Sequence, residues 1–317
     1  MKWKKIRRYL PIIGIALFIY LLIRLDITKI FQEIENINFS YLAVAVILIA
    51  FFFVTQTLKW FIIARKQKIA IPFWSAFRIN LISSFYGFIT PSKIGSVIRI
   101  DYLREHNPNT GKGLSNFVMD KVLDLSSLFV LAITFAFIFY KRIISSTYLY
   151  IIIGIFLLII SLSLFFYKKE ASKPFLRFIY RMIIPKRMKE KSKILFGTFY
   201  QDIPSLPFLF FVFIINLFNW VVDYAGMYFM GLALGINIGF IPLLAILPIS
   251  TLVAQLPITI NGYGTRELTM ISLFGLFGVG AVKVFSMSIL SIILTNVIPS
   301  LFAILLIFVK RKSKIEN

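Results

Sequence analysis

Three groups of ionisable residues stand out because they lie in or beside long apolar runs. The first is Lys93, Arg99 and Asp101, which follow a break at Thr90-Pro91-Ser92. The second is Asp120, Lys121 and Asp124, whose i,i+3 and i,i+4 spacing puts all three on one side of a helix. The third is Arg266-Glu267, just past a turn-forming stretch that holds Pro257, Asn261, Gly262 and Gly264. Asp223, Asn216 and Asn219 lie on the apolar run before it, and Gln255 directly precedes the turn. The chemistry these residues support is recognition of an anion. Lys93 and Arg266 suit a phosphate or carboxylate, while Asp120, Asp124, Asp223 and Glu267 orient the bases or meet a cationic group on the ligand. The same charges also fit a scaffolding role in which acids and bases only neutralise one another. Metal and thiol chemistry have little to work with. There is no cysteine, and the single histidine, His106, sits in a polar loop and reads as a solvated loop residue. No metal or cofactor is expected.

Composition says what must hold these residues. Of 317 residues, 59% are hydrophobic and 17% aromatic, and the mean hydropathy is +0.87. A soluble domain of this size does not carry so much apolar surface, so the chain reads as a polytopic membrane protein. Several runs reach the ~20 residues needed to cross a ~30 Å hydrocarbon layer. The net charge of +22 then reflects cytoplasmic loops facing anionic headgroups rather than nucleic acid. Charges at mid-depth cost at least ~2.5 to 3.5 kcal/mol each and need partners or water.

The order of the runs gives a topology. A basic N-terminus precedes a first span over residues 9–23, and a mildly acidic loop over 26–39 suits the outer side. A second span over 41–64 ends at Arg65, Lys66 and Lys68, and Lys59-Trp60 near its end reads as an interfacial anchor. Spans at 114–140 and 147–167 lead to a segment, 168–193, with ten basic residues, which belongs in the cytoplasm. Crossings between Lys68 and that segment must be even in number, so 73–105 is a hairpin. Lys141-Arg142 falls outside under this scheme, and two charges do not outweigh ten. By the same parity, with spans at 205–234 and 282–309, residues 240–280 form a second hairpin entered from the opposite face. The fold expected is therefore all-α, with about six full transmembrane helices plus two broken re-entrant helical hairpins in an inverted-repeat arrangement. It forms a single membrane domain over 1–317, with halves 1–167 and 194–317.

Each hairpin has a tip that breaks a helix: Pro91 and Gly95 in one, Pro257, Gly262 and Gly264 in the other. Thr90 reads as an N-cap with Pro91 at the first helical position. Helix N-termini carry partial positive charge on their free amides, so two such ends converging in the membrane would form an anion pocket beside Lys93 and Arg266. Asp124 would lie ~15 Å along its helix from Leu114.

These stretches resemble the motifs of one family. TPSKIGSVIRIDYL is similar to the P-G-R-x-G-E-x-x-R segment of the lysylphosphatidylglycerol synthetase/flippase membrane-domain family, and MDKVLDL to its E-R-x-x-D segment through Asp120, Lys121 and Asp124. LPITINGYGTRE resembles the P-x-x-P-G-G-x-G-x-R-E segment through Pro257, Gly262, Gly264, Arg266 and Glu267, and TLKWFIIAR the L-R-W-x-x-L-L segment through Lys59 and Trp60. The four fall in family order. Ser96 stands where the family usually has Glu, and Asn261 where it often has Gly, so a role that depends on that Glu is not carried over. The resemblance implies a lipid-handling membrane domain, in some members a flippase. Its aminoacyl-transferring members carry a large soluble C-terminal domain, and the expectation here is a protein without it.

The function expected is a membrane lipid translocase, not an enzyme, that binds an anionic phospholipid or polyprenyl-phosphate-linked headgroup at mid-membrane. The headgroup residues are Lys93, Arg99, Asp120, Lys121, Asp124, Asp223, Asn261, Gly262, Gly264, Arg266 and Glu267. The location expected is the cell membrane, with both termini cytoplasmic. Membrane lipid is the partner, nucleic acid is not, and a second copy or a separate lipid-modifying enzyme stays open. The alternatives are a membrane glycosyltransferase, for which Asp26, Glu33 and Glu35 are the outer-loop carboxylates, and an accessory scaffold in envelope lipid or glycan assembly.

Overall fold

Inside a bilayer each backbone amide and carbonyl must be satisfied within the chain, and the apolar runs meet that demand as helices. The computed structural model describes residues 15–90, 93–106, 109–139, 146–168, 170, 197–256 and 259–315. The basic N-terminus, both tip prolines (Pro91 and Pro257), Lys141-Arg142 and nearly all of the basic segment lie outside the described residues. In chain order the elements are α1 (Ile15–Arg24), α2 (Ile27–Glu35), α3 (Phe39–Lys66) and α4 (Phe73–Phe88). A 3-10 turn (Ile94–Ile98), α5 (Arg99–Leu103), α6 (Thr110–Ile138) and α7 (Ser146–Tyr167) follow. The second half holds α8 (Leu206–Ala233), α9 (Phe240–Gln255), α10 (Thr265–Gly275), α11 (Ala281–Ile292), a π turn (Ile293–Val297) and α12 (Ile298–Ile315).

Four rods, α3, α6, α8 and the run Ala281–Phe308, are 28 or 29 residues long and apolar enough to cross a membrane. They coincide with four of the expected spans; the described parts of the other two are α1 and α7. The protein is an all-helical polytopic membrane protein. The rod Ala281–Phe308 widens to a π turn just before Pro299, whose ring cannot sit under an ordinary α turn.

The packing is reciprocal. Helix α3 runs against α8, α4 of the first hairpin packs on α12, and α9 of the second hairpin packs on α6. Each hairpin thus leans on the rod that follows the other hairpin, as a two-fold relation between halves requires. One apolar core joins both halves, from Ala45, Ile49 and Phe52 through Leu128 to Met230, Leu247 and Met287. Two buried amides tie the rods together. Asn216 Nδ2 donates to Leu123 O and Ser127 Oγ at 2.9 Å each, and Thr55 Oγ1 donates to Asn219 Oδ1 at 2.6 Å.

Two local expectations change. The loop 26–39 contains helix α2, because Ile27, Ile30, Phe31 and Ile34 fall at i, i+3, i+4 and i+7 among the acids and form an apolar stripe. Ile30 buries against Leu21 and Phe285, and Asp26 Oδ1 caps the helix by accepting from Thr28 N at 3.0 Å. In the first hairpin the expected helix start at Pro91 lies outside the described residues. The described part of the second arm opens at Ile94 as a 3-10 turn, and Thr90 Oγ1 accepts from Gly95 N at 2.7 Å. Gly95 comes so close to the Tyr86 carbonyl that the arm must coil tightly before it opens into α5.

At one end of the bundle Asp202 latches the segment before α8 onto the first half. Its carboxylate accepts from Lys112 Nζ at 2.6 Å and lies 3.1 Å from Lys68 Nζ. Hydrogen bonds from Lys112, then from Lys68, hold the Asp202 carboxyl below the usual carboxylate range. A depressed folded-state value means the stabilisation is complete above the unfolded value of ~3.9 and is lost as pH falls through the folded one. Asp202→Asn is therefore expected to flatten the acid limb of the stability–pH curve and to lower stability at neutral pH. Thermal unfolding of the detergent-solubilised protein at stepped pH measures both.

Candidate functional site

Near the middle of the molecule lies a lattice of ion pairs, buried at Lys59, Arg99 and Asp120 and open at Lys121. Lys59 on α3 is 1% exposed. Its Nζ sits 2.9 Å from Asp120 Oδ1 and donates a hydrogen bond to Asp124 Oδ1. Arg99 on α5 is 3% exposed, and its Nη2 donates to Asp120 Oδ2 at 2.9 Å. The guanidinium is also covered by two aromatic faces, Trp60 at 4.8 Å and Phe117 at 5.2 Å from the ring centroids. Lys121 reaches back to Asp124 at 3.3 Å and to Asp120 at 4.0 Å. Asp124 falls at the midpoint of α6, so this lattice sits deep, and charges there are tolerable only as pairs.

This overturns the reading of Lys59-Trp60 as an interfacial anchor. The lysine does not reach toward headgroups. It turns inward because two carboxylates one helical turn apart on α6 offer a deeper partner than water. Trp60 is fully buried and lies under Arg99.

Beside the lattice is a more open group. Lys93, on the first hairpin, shares an electrostatic neighbourhood with Lys121, Asp124, Asp223 and Arg266. Asp223 on α8 in turn feels Lys93 and Arg266. The two tips meet directly, since the rings of Phe88 and Tyr263 stack edge to face at 6.0 Å. Five predicted site residues from four different elements are thus brought together. Lys93 is accessible, Lys121 and Asp223 partly so, and Arg266 less. Lys93 also has a left-handed backbone, φ 56°, which costs a residue with a Cβ on the order of 1–2 kcal/mol. Such strain collects where a side chain must be aimed. Counted together, the lattice and the open group hold five cations (Lys59, Lys93, Arg99, Lys121, Arg266) against four carboxylates (Asp120, Asp124, Asp223, Glu267), one positive charge in excess.

Arg266 is braced rather than loose. Its Nε donates to Glu267 Oε1 at 3.1 Å and its Nη2 to Ser288 Oγ on α11 at 2.7 Å; Ser288 closes the triangle by donating to Glu267 Oε1 at 2.7 Å. Glu267 Oε2 accepts from Gly264 N at 2.6 Å, and Thr90 already holds Gly95 N. These helix-end amides are therefore engaged inside the protein, contrary to the expectation that they stand free for an anion. The positive potential comes from the lysine and arginine side chains.

The remaining predicted residues are placed as follows. Asn261 has φ 49°, a conformation Asn tolerates better than most, so it can stand where a Gly is usual. Its Nδ2 donates to Tyr263 Oη at 3.0 Å. Gly262 and Gly264 shape the tip. Ser96 is buried, and its Oγ donates to Lys93 O at 2.7 Å, which fastens the turn behind Lys93. Asp101 is exposed and pairs with Arg104 at 3.2 Å, away from the centre. Of the three acids near α2, Asp26 is a helix cap and Glu33 lies 4.0 Å from Lys283. Sequence reasoning missed Lys59 and Trp60 as members of the charged centre; their place in an ordered set of motifs was the available signal.

A helical membrane protein with two broken hairpins meeting at a charged centre defines the class. The chain belongs to the lysylphosphatidylglycerol synthase transmembrane-region family, whose sequence profile matches residues 11–303. It is similar to a UPF0104 membrane protein of Pyrococcus horikoshii, 23% identical over 331 residues, 97% of this chain and 98% of that protein. It is also similar to a UPF0104 membrane protein of Methanothermobacter thermautotrophicus, 31% identical over 93 residues, 29% of this chain. That second match spans 26% of the relative's length.

Proposed function

We propose that this protein is a lipid translocase of the cell membrane, with both termini in the cytoplasm, and that it holds an anionic headgroup between Lys93 and Arg266. The headgroup is a phospholipid phosphate or a polyprenyl-phosphate derivative, and no chemical step is performed on it. The observation that carries the reading is that the two tips meet at Phe88 and Tyr263, and that Lys93, which follows this contact on a left-handed backbone, is exposed and makes no ion pair or side-chain hydrogen bond among the described residues. A phosphate would be received by the cations Lys93 and Arg266, while the ion pairs of Lys59, Arg99, Asp120 and Asp124 hold α3, α5 and α6 in register. The family, named for the membrane region of a phospholipid-modifying enzyme, supports a lipid ligand. The excess of basic residues at the termini and in the segment 168–193 supports the orientation.

Lys93→Ala tests the reading cleanly, because the side chain has no structural partner to lose among the described residues. Charge-assisted contacts contribute ~1.5–3 kcal/mol, so anionic phospholipid should bind ~10- to 100-fold more weakly, with the unfolding temperature unchanged. Titration of short-chain phosphatidylglycerol into the purified protein, with phosphatidylcholine as the neutral comparison, reads this out. Equal affinity in wild type and variant removes the headgroup from this place.

A further inference from the structure

Where α3 stops and α6 starts, one carboxylate serves two lysines. Asp202 Oδ2 accepts from Lys112 Nζ at 2.6 Å, and Asp202 Oδ1 lies 3.1 Å from Lys68 Nζ. The two lysines differ in what they need. Lys68 is largely exposed and has water. Lys112 is buried, and its one other contact among the described residues is the Gln67 carbonyl, at a long 3.4 Å. Gln67 is buried too, and its Nε2 donates to Ser115 Oγ at 3.1 Å, so the place of Lys112 is built into the packing of the end of α3 on α6. Asp202 is held less firmly. It is 22% exposed and lies outside any helix, in the short segment before α8, just after the turn that Gln201 N closes on Thr198 O at 3.2 Å. Asp202 and Lys68 both have left-handed backbones, φ 55° and 59°, which residues with a Cβ avoid. Strain of this kind collects at clamps and switches.

A buried ammonium group left without an anion is strongly unfavourable. Asp202 can therefore leave Lys112 only when another anion takes its place. Its two oxygens, spanning two ammonium groups, trace the outline of an anion site that the oxygens of a phosphate can fill with the same charge-assisted bonds. The charge around it favours such a guest. Two cations share one carboxylate, and the last turn of α3 adds Arg65 and Lys66, with Lys66 Nζ 5.4 Å from the Phe208 ring at the start of α8. We propose that Lys68 and Lys112 form a second phosphate site, which Asp202 occupies as an internal anion, and that an arriving phosphate displaces Asp202 and frees the segment before α8. Lys112 exchanges a carboxylate oxygen for a phosphate oxygen, and the carboxylate passes to water. The site shares no residue with Lys93 and Arg266 and stands independently of the translocase reading. Its ligand is a phosphate group, carried by a lipid headgroup of the adjoining leaflet or free in solution.

The experiment uses the Lys93→Ala protein, so that the central cations contribute little. Short-chain phosphatidylglycerol and inorganic phosphate are titrated in separately, with phosphatidylcholine as the uncharged comparison, and hydrogen exchange of the amides over 198–203 is followed at each step. Binding ordinarily slows exchange; displacement of Asp202 predicts the reverse, a several-fold faster exchange over 198–203 as the site fills. Asp202→Asn removes the competing anion and should tighten phosphate binding ~10-fold, the scale of one charge-assisted contact. Asp101→Asn makes the same charge change at an exposed acid paired with Arg104 and should leave affinity unchanged. Lys112→Met puts an apolar chain in the buried position and should abolish binding. The ligand that binds names the source: phosphatidylglycerol a lipid headgroup, inorganic phosphate alone the free ion. If Asp202→Asn does not fold, the exchange measurement and Lys112→Met still decide. Absence of binding by either phosphate ligand, binding that persists in Lys112→Met, equal tightening in Asp101→Asn, or exchange over 198–203 that slows or stays the same each overturns the site. None of these outcomes bears on Lys93 and Arg266, which are tested by the difference between wild type and Lys93→Ala.

Discussion

Asp120→Ala is expected to lose about 3–5 kcal/mol of stability, the range seen when a buried ion pair is broken from one side. The reason is what remains behind. Lys59 keeps Asp124, but Arg99 loses its one carboxylate among the described residues while it lies buried between Trp60 and Phe117. A lysine in that position could shed its proton; a guanidinium does not, so the charge stays and must be solvated or exposed. The double substitution Arg99→Met with Asp120→Ala removes the orphaned charge along with the missing partner. It should recover most of the loss, because well-packed apolar replacements of buried pairs are commonly neutral or stabilising. Thermal unfolding of the detergent-solubilised variants decides the matter. A double variant no more stable than the single one would mean that Asp120 matters for a reason other than Arg99.

The second large effect concerns the tips. At Gly95 an added Cβ would stand 2.1 Å from the Tyr86 carbonyl oxygen, and at Gly262 it would stand 2.3 Å from Ala254 Cβ on a backbone with φ +80°. Backbone cannot yield as a flexible side chain can, so each alanine must push its tip aside. Gly262→Ala adds left-handed strain of ~1–2 kcal/mol to overpacking of ~1–3 kcal/mol. Gly154→Ala is the control, because nothing lies within 4 Å of its added Cβ. Misplacement of positioned groups by about 1 Å can cost ~100-fold in rate, and a loss of that size in headgroup translocation is expected for both tip variants. The displacement itself can be followed separately. The chain has no cysteine, so a pair introduced by Phe88→Cys and Tyr263→Cys can be bridged by a short thiol crosslinker without background. Crosslinking should be efficient in the parent, where the rings meet at 6.0 Å, and should drop when Gly95 or Gly262 is replaced. Unchanged crosslinking with lost translocation would place the fault elsewhere than in the tip contact.

Much of the architecture is readable from the chain. Rods such as α3 and α8 need only a long apolar run, because a bilayer leaves such a run few options other than a helix. The interruptions are readable too, from Pro, Gly and Asn at Thr90-Pro91-Ser92 and at 257–264, and so is the charge that follows each interruption. Helix α2 was hidden because its apolar stripe is interleaved with Lys29, Glu33 and Glu35, and the acids suggested a loop.

The candidate site divides along the same line. Which residues carry charge, on which rod and at what helical spacing, is local information, so Asp120, Lys121 and Asp124 could be assigned to one side of a helix from sequence alone. Whether a charge is paired or free depends on partners far away in the chain, and only the tertiary structure decided that. Lys59 and Lys93 look alike in sequence, each a lysine beside apolar residues. One is locked onto Asp120 and Asp124, some sixty residues on. The other is left accessible and without an ion pair among the described residues, at the tip that meets Tyr263 from the second half of the chain. The physical reason is that electrostatic energy in a low-dielectric interior is set by separation in space, and the packing of α3 on α8 and of one tip against the other fixes that separation.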